Sequence, residues 1–241
     1  MRVALFRALV DAQKTAQRLA ELGHNAVFAP VIRIVATGRT LPALQPDAVI
    51  FTSAHAVPPV AQDPSLPLLL DLPCFCVGEQ TAAAVRALGF RSMQEPEANA
   101  DGLTAAYIVA FPKASHALFI TGRDRKPTLE HRLAAAGHKV TSLVVYQAEP
   151  IREWDCDTVE ALGAADGALH YSRRSAELTL EAAARSGSGE VLRRLIHYCL
   201  SADVAEPLRS DGLRRILVAS RPDEDALLAT LDQETTARIE S

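Results

Sequence analysis

Apolar residues in this chain fall into short continuous runs rather than long stripes. The runs 3–6, 26–29, 48–51, 74–77, 118–121, 143–146, 168–171 and 196–200 hold four or five residues each, and most are followed at once by Gly, Pro, Ser or Thr. Runs of that length without alternation read as strands buried on both faces. Between them the apolar spacing becomes helical. Leu19 and Leu22 follow Asp11, a candidate cap, and Gly23 offers the left-handed stop. Leu129, Leu133 and Ala136 follow Pro127, which fits a first helical position, and Gly137 ends that helix. Further helices are predicted over 82–88 before Gly89, over 103–109 after Asn99-Ala100-Asp101-Gly102, from Trp154 to Gly163, and over 224–231. Strands alternating with helices predict an α/β protein with parallel sheets.

The grammar occurs twice. Thr52-Ser53-Ala54-His55 after one strand has a counterpart in Ser172-Arg173-Arg174-Ser175, and Gly78-Glu79-Gln80-Thr81 has one in Ser201-Ala202-Asp203-Val204. The spacing agrees, since Gly78 to Gly89 and Ser201 to Gly212 both span 11 positions, with a short strand expected after each closing glycine. Two α/β halves follow. Residues 31–35 are extended and alternate, and 37–46 carry loop residues, so a domain crossing is placed there. Five prolines between Pro58 and Pro73 leave room only for short helices.

The stretch 118–150 is the most informative, a strand–helix–strand crossover. Its turn, Gly122-Arg123-Asp124-Arg125-Lys126, sets three cations beside a helix N-terminus, where an anion is favoured. The bland reading of such a run is a solvated charged face.

Composition narrows the class. Of 241 residues, 49% are hydrophobic and 22% charged, which excludes a disordered chain, and a net charge of −4 argues against nonspecific nucleic-acid binding. Cys74, Cys76, Cys156 and Cys199 have no zinc spacing, and His55, His116, His131, His138 and His170 have no metal-ligand pattern, so no metal is expected. The cysteines are expected reduced and mostly buried. No apolar run approaches the roughly 20 residues of a membrane span, and the start MRVALFRALVDAQK lacks a signal-peptide core, so a cytoplasmic protein is expected.

The segments FTSAHAV (51–57), VGEQTAAAVRALGF (77–90), ADGL (100–103), GRDRKPTLEHRLAAAGHKV (122–140) and VYQAEP (145–150), in this order, resemble the uroporphyrinogen-III synthase family, the cyclase of tetrapyrrole synthesis. The resemblance covers nearly the whole chain. It implies two flavodoxin-like parallel-sheet α/β domains joined by a two-stranded connector: 1–33 plus 150–241, and 36–145, with connectors near 31–36 and 144–150. It also implies a substrate, hydroxymethylbilane, a linear tetrapyrrole polycarboxylate closed into uroporphyrinogen III with inversion of ring D and loss of water. No cofactor is implied, the enzyme is expected as a monomer, and transient hand-over from hydroxymethylbilane synthase is conceivable.

Tyr146 matches the family tyrosine that assists hydroxyl loss. Arg7, Thr52, Ser53, Gly78, Thr81, Gly122, Arg123, Lys126, Ser172, Arg173 and Ser201 are the expected substrate-binding set, with cations gathered toward the substrate. Each has a plainer reading: Thr81, Ser53 and Thr52 as helix or turn caps, Arg7 as a surface charge, Tyr146 as a packed ring with a wet hydroxyl. Three departures from the family pattern stand out. Ala8 replaces a proline, His55 replaces an asparagine, and Ser201-Ala202-Asp203-Val204 lacks the usual hydroxyl at its fourth position, leaving Ser201 or Ser172 to substitute. The competing classes are a two-lobed cytoplasmic ligand-binding protein and a family member that has lost activity.

Overall fold

Strands with no polar face must be covered on both sides, and that requirement shapes both halves of the chain. The structure, a computed structural model, describes residues 1–239. The chain opens with β1 (Arg2–Leu5), α1 (Leu9–Glu21), β2 (Asn25–Phe28), β3 (Ile32–Ala36) and β4 (Ala48–Phe51). Three single 3-10 turns in the proline-rich stretch lead to β5 (Cys74–Cys76), α2 (Glu79–Ala87), α3 (Ala100–Ala110), β6 (His116–Gly122), α4 (Thr128–Ala135) and β7 (Lys139–Pro150). Then come α5 (Cys156–Gly163), β8 (Gly167–His170), α6 (Arg173–Arg185), α7 (Gly189–Arg194), β9 (Ile196–Cys199), α8 (Ala202–Ser210), β10 (Ile216–Val218) and α9 (Glu224–Ile239).

Two compact units result, Met1–Arg33 with Glu149–Ser241 and Ile34–Ala148. The first holds a five-stranded sheet ordered β10-β9-β8-β1-β2, with every pairing parallel. The second is ordered β3-β7-β6-β4-β5, and β7-β6, β6-β4 and β4-β5 are parallel. Alternation along each strand divides its side chains between two cores. Ala4 and Phe6 join one cluster with Trp154, while Val3 and Leu5 join another with Leu19 and Leu227. In the second unit Val49 and Phe51 pack with Ile120 and Val145, and Ala48 and Ile50 pack with Leu103 and Tyr107.

Several boundaries differ from those the sequence predicts. Helix α1 starts at Leu9 with Ala8 in the capping position, so Asp11 lies in the first turn beside the helix's positive end rather than at the cap. Leu19 is buried as expected, but Leu22 falls beyond the last helical residue and is 40% exposed. Pro127 occupies the position before α4, one residue short of that expected. Trp154 precedes α5, which Asp155 caps by accepting from the Thr158 N–H at 2.8 Å. The indole instead stacks on Phe6, centroids 5.6 Å apart. No strand follows Gly89; only the isolated bridges Cys74–Met93 and Val77–Glu97 form there. Helices α6 and α7 appear only in the structure. Cys74, Cys76 and Cys199 are buried and Cys156 is exposed, all four as free thiols.

Two histidines sit inside the first unit's sheet. His170 Nε2 and His197 Nδ1 are 3.0 Å apart, and His197 Nε2 lies 2.9 Å from the Leu192 carbonyl oxygen. Both are about 1% exposed. Burial lowers the pKa of each, and for His170 the neighbouring His197 adds to the effect. The folded state therefore binds fewer protons than the unfolded chain below the ordinary imidazole pKa of about 6.5. Stability should be full above that pH and decline as the pH falls from there toward the folded-state values. Urea midpoints at pH 7.5 and 5.5 test this. The wild type should lose more than His170→Leu, which carries no titrating group at that position.

Candidate active site

In a parallel sheet every strand delivers its C-terminal end to one edge, and ligands collect there. In the Ile34–Ala148 unit that edge carries Thr52 and Ser53 after β4, Gly78 after β5 and the turn Arg123–Lys126 after β6. Ser53 starts a single helical turn, its Oγ accepting from the His55 N–H at 3.3 Å. Gly78 takes φ +76° and occupies the capping position of α2 without a side-chain cap, so the first amides of that helix stay open. Thr81 is therefore not the cap: it lies inside the first turn and is only 5% exposed.

Tyr146 is placed by a bulge. Thr121 pairs with Val144, but Gly122 pairs with Tyr146, so Val145 is the extra residue. A one-residue shift exchanges the faces of a strand, and here it turns Tyr146 toward Gly122. Three successive carbonyls of β7 hold the bulge. Val144 accepts from Thr37 Oγ1 at 2.7 Å, Val145 from the Thr37 N–H at 2.9 Å and Tyr146 from the Arg123 N–H at 3.0 Å. The phenol then lies flat against the glycine. A Cβ at Gly122 would stand 2.4 Å from Tyr146 Cζ and 2.8 Å from its hydroxyl oxygen. The His55 ring meets the same phenol edge-on, centroids 5.8 Å apart at 62°. Among the described residues no side chain hydrogen-bonds the Tyr146 hydroxyl, which leaves it open to a ligand.

The cations of the 122–126 turn divide. Arg125 is held inward, Nε 2.8 Å from Glu130 Oε1 and Nη1 3.2 Å from the Gly122 carbonyl oxygen. Arg123 and Lys126 are exposed and form no ion pair among the described residues. Lys126 and Thr52 line a cavity of about 410 Å³ with Asn99, Asp101, Phe119 and Arg125. A larger groove of about 530 Å³ between the 41–45 and 65–69 segments has no charged residue in its lining, so the smaller cavity is the candidate. Asn99, which the sequence offered only as a helix start, accepts from the Asp101 and Gly102 N–H groups. Thr37 had no recognisable signal, being a lone threonine just past a strand.

The equivalent residues of the first unit serve the fold. Ser172 caps α6, accepting from the Ser175 N–H at 3.1 Å, and Ser201 caps α8, accepting from the Val204 N–H at 3.4 Å. Val204 is buried against the core. Arg173 runs against the expected gathering of free cations: it pairs with Glu177, Asp203 and Glu206. Arg7 binds a carboxylate, but an internal one. Its guanidinium lies 4.0 Å from the Tyr171 ring centre and donates to Thr15 Oγ1 at 3.0 Å, with Glu224 Oε1 at 3.4 Å. Thr15, Tyr171 and Arg18 also donate to Glu224. Burial would raise the Glu224 pKa, but these donors outweigh it and the net shift is downward. Burial, with the Glu224 carboxylate beside it, raises that of Tyr171. Among the described residues no three His, Cys, Asp or Glu side chains assemble as a metal site, and no helix is long and apolar enough to cross a membrane.

The family model for uroporphyrinogen-III synthase HemD matches residues 13–229. No curated protein sequence matches. Among solved structures, uroporphyrinogen-III synthetase from Helicobacter pylori superposes with a TM-score of 0.65 at 18% identity, covering 96% of this chain and 98% of that one. A mutant uroporphyrinogen III synthase from the extremely thermophilic bacterium Thermus thermophilus gives a TM-score of 0.51 at 19% identity, covering 100% of both chains. At such identities the structural likeness speaks for the two-sheet α/β fold, and the family match, which spans most of the sequence, speaks for descent. The chain belongs to the uroporphyrinogen-III synthase HemD family.

Proposed function

We propose that the protein is an active uroporphyrinogen-III synthase, converting hydroxymethylbilane into uroporphyrinogen III. The observation that supports this most directly is the Tyr146 hydroxyl, turned by the bulge onto Gly122 at the edge that also carries Thr52, Ser53 and two unpaired cations. In the reaction the C–O bond of the terminal hydroxymethyl group breaks and its electron pair leaves with oxygen. The pyrrole nitrogen supplies the replacing electrons, the last ring closes through a spiro intermediate, and the proton released on rearomatisation completes the water. The protein folds the substrate so that its ends meet, and eases hydroxide departure. Tyr146 acts as a hydrogen-bond donor to the leaving oxygen. Arg123 and Lys126, with the open amides after Gly78, are the ligands for substrate carboxylates.

Within this reading the domains are 1–33 plus 150–241 and 36–145, joined by a two-stranded connector near 31–36 and 144–150. Numbered along its own chain, the first unit's sheet runs 2-1-3-4-5, the flavodoxin-like order, and in the second unit β4, β5, β6 and β7 follow 2-1-3-4 with β3 added at the edge beside β7. The enzyme works as a cytoplasmic monomer and receives its unstable substrate from hydroxymethylbilane synthase. Ser172, Arg173, Ser201 and Arg7 have secondary roles at most, because internal bonds already occupy them.

The direct test is to incubate the purified protein with hydroxymethylbilane, oxidise the products and measure isomer III against the isomer I that forms spontaneously. Isomer I alone would refute the assignment. Tyr146→Phe should cyclise roughly 10- to 100-fold more slowly with little change in thermal melting, at the low end of proton-transfer contributions. A wild-type rate would remove Tyr146 from the mechanism. For the cations, the double change Arg123→Ala with Lys126→Ala should raise KM several-fold and flatten its dependence on salt, because screening weakens long-range attraction between exposed charges. An unchanged salt profile would place the carboxylates elsewhere.

A further inference from the structure

We infer that Gly122 is a positioning residue for Tyr146, its missing side chain forming the floor of a slot that His55 closes from the side and that Thr37 holds in register. The inference rests on the reading of Tyr146 given above and assigns to Gly122 a role other than contact with substrate. The glycine is not there for backbone freedom: only Gly23, Gly38, Gly78, Gly89, Gly137, Gly187 and Gly212 have positive φ among the described residues. It is there for space. The clashing atoms are Tyr146 Cζ at 2.4 Å, Cε2 at 2.7 Å and the hydroxyl oxygen at 2.8 Å, all at the far end of the side chain. A methyl at this position therefore need not break the sheet. The ring can swing away, and the hydroxyl is what moves.

The other walls agree with this. The His55 edge contact at 5.8 Å limits the ring on one side. The bulge fixes the backbone beneath it, because the Val144, Val145 and Tyr146 carbonyls are each bonded, two of them to Thr37. A rigid hydroxyl matters for a reaction that gains by orientation, where a displacement of about 1 Å can cost on the order of 100-fold. Among the described residues no side chain hydrogen-bonds the Tyr146 hydroxyl, so packing on glycine is what holds it.

A double-mutant cycle tests the assignment. Gly122→Ala, Tyr146→Phe and the combination are compared for kcat, KM and thermal melting, with Thr37→Val and His55→Ala as variants that disturb the slot without adding volume. If Gly122 acts through Tyr146, Gly122→Ala should lower kcat by about as much as Tyr146→Phe, with KM little changed, and the combined variant should be no slower than the slower single one. Thr37→Val and His55→Ala should show smaller losses in kcat that also vanish in the Tyr146→Phe background. Multiplying effects, or a wild-type kcat for Gly122→Ala, would overturn the proposal. A readout independent of activity uses fluorotyrosine. The chain has 4 tyrosines, and the 19F resonance lost in Tyr146→Phe identifies residue 146. That resonance should shift in Gly122→Ala while the other three stay in place. If Tyr146→Phe proves to cyclise normally, the mechanistic reading fails separately, and the resonance alone decides the slot: a shift upholds it and an unmoved line refutes it. Should Gly122→Ala melt far below the wild type, the same resonance in Thr37→Val and His55→Ala decides instead.

Discussion

Parallel pairing is the constraint on which both units depend. A strand hydrogen-bonded in parallel on both sides, with helices on both faces, has no place for polar side chains along its length. β1, β4, β6, β8 and β9 obey this almost throughout. Several polar groups that enter the interior are tied to partners. The Tyr107 hydroxyl, Ser115 Oγ and His138 Nδ1 form a chain with 2.9 Å at each step, and His170 and His197 face each other at 3.0 Å. Buried hydroxyls inside helices, such as those of Thr104 and Thr179, bond the backbone of their own helix.

At the strand ends the two units share a plan and differ in its use. In the 34–148 unit the first amides of α2 are open, Arg123 and Lys126 form no ion pair among the described residues, and the bulge at Val145 turns a phenol onto Gly122. In the other unit the corresponding serines cap helices, and Arg173 is neutralised by three carboxylates. Arg7 and Arg18 are drawn onto Glu224, a residue at the start of α9, far along the chain. That network fastens the last helix of the unit to its first helix and to the end of β8. In a protein of net charge −4, arginines such as Arg7, Arg18, Arg152 and Arg173 are held by carboxylates, whereas Arg123 and Lys126 form no ion pair among the described residues.

Catalysis of the proposed kind asks little of the protein's own acids and bases. The pyrroles push out the hydroxyl, and the enzyme contributes orientation and a donor. A phenol packed on a glycine suits that task, since rigid packing fixes the donor's position at no electrostatic cost. His55 lies edge-on against that phenol, with ring centroids 5.8 Å apart.

Most of the strands and helices, and the family, were legible in the sequence, because short apolar runs and glycine stops are local signals. The 48–51 strand and the left-handed turns at Gly23, Gly89 and Gly137 appear where the pattern puts them. Helix starts were less legible, as Ala8, Gly78 and Pro127 lack a side-chain cap and only the backbone marks the boundary. The partnerships of the site were not legible at all. Nothing local shows that Val145 bulges, that Thr37 bonds two carbonyls more than 100 residues away in the chain, or that Glu224 takes up Arg7. Those depend on register between strands and on which charges meet after folding. A one-residue slip or a distant carboxylate leaves no trace in spacing or composition, and only the tertiary structure decides it.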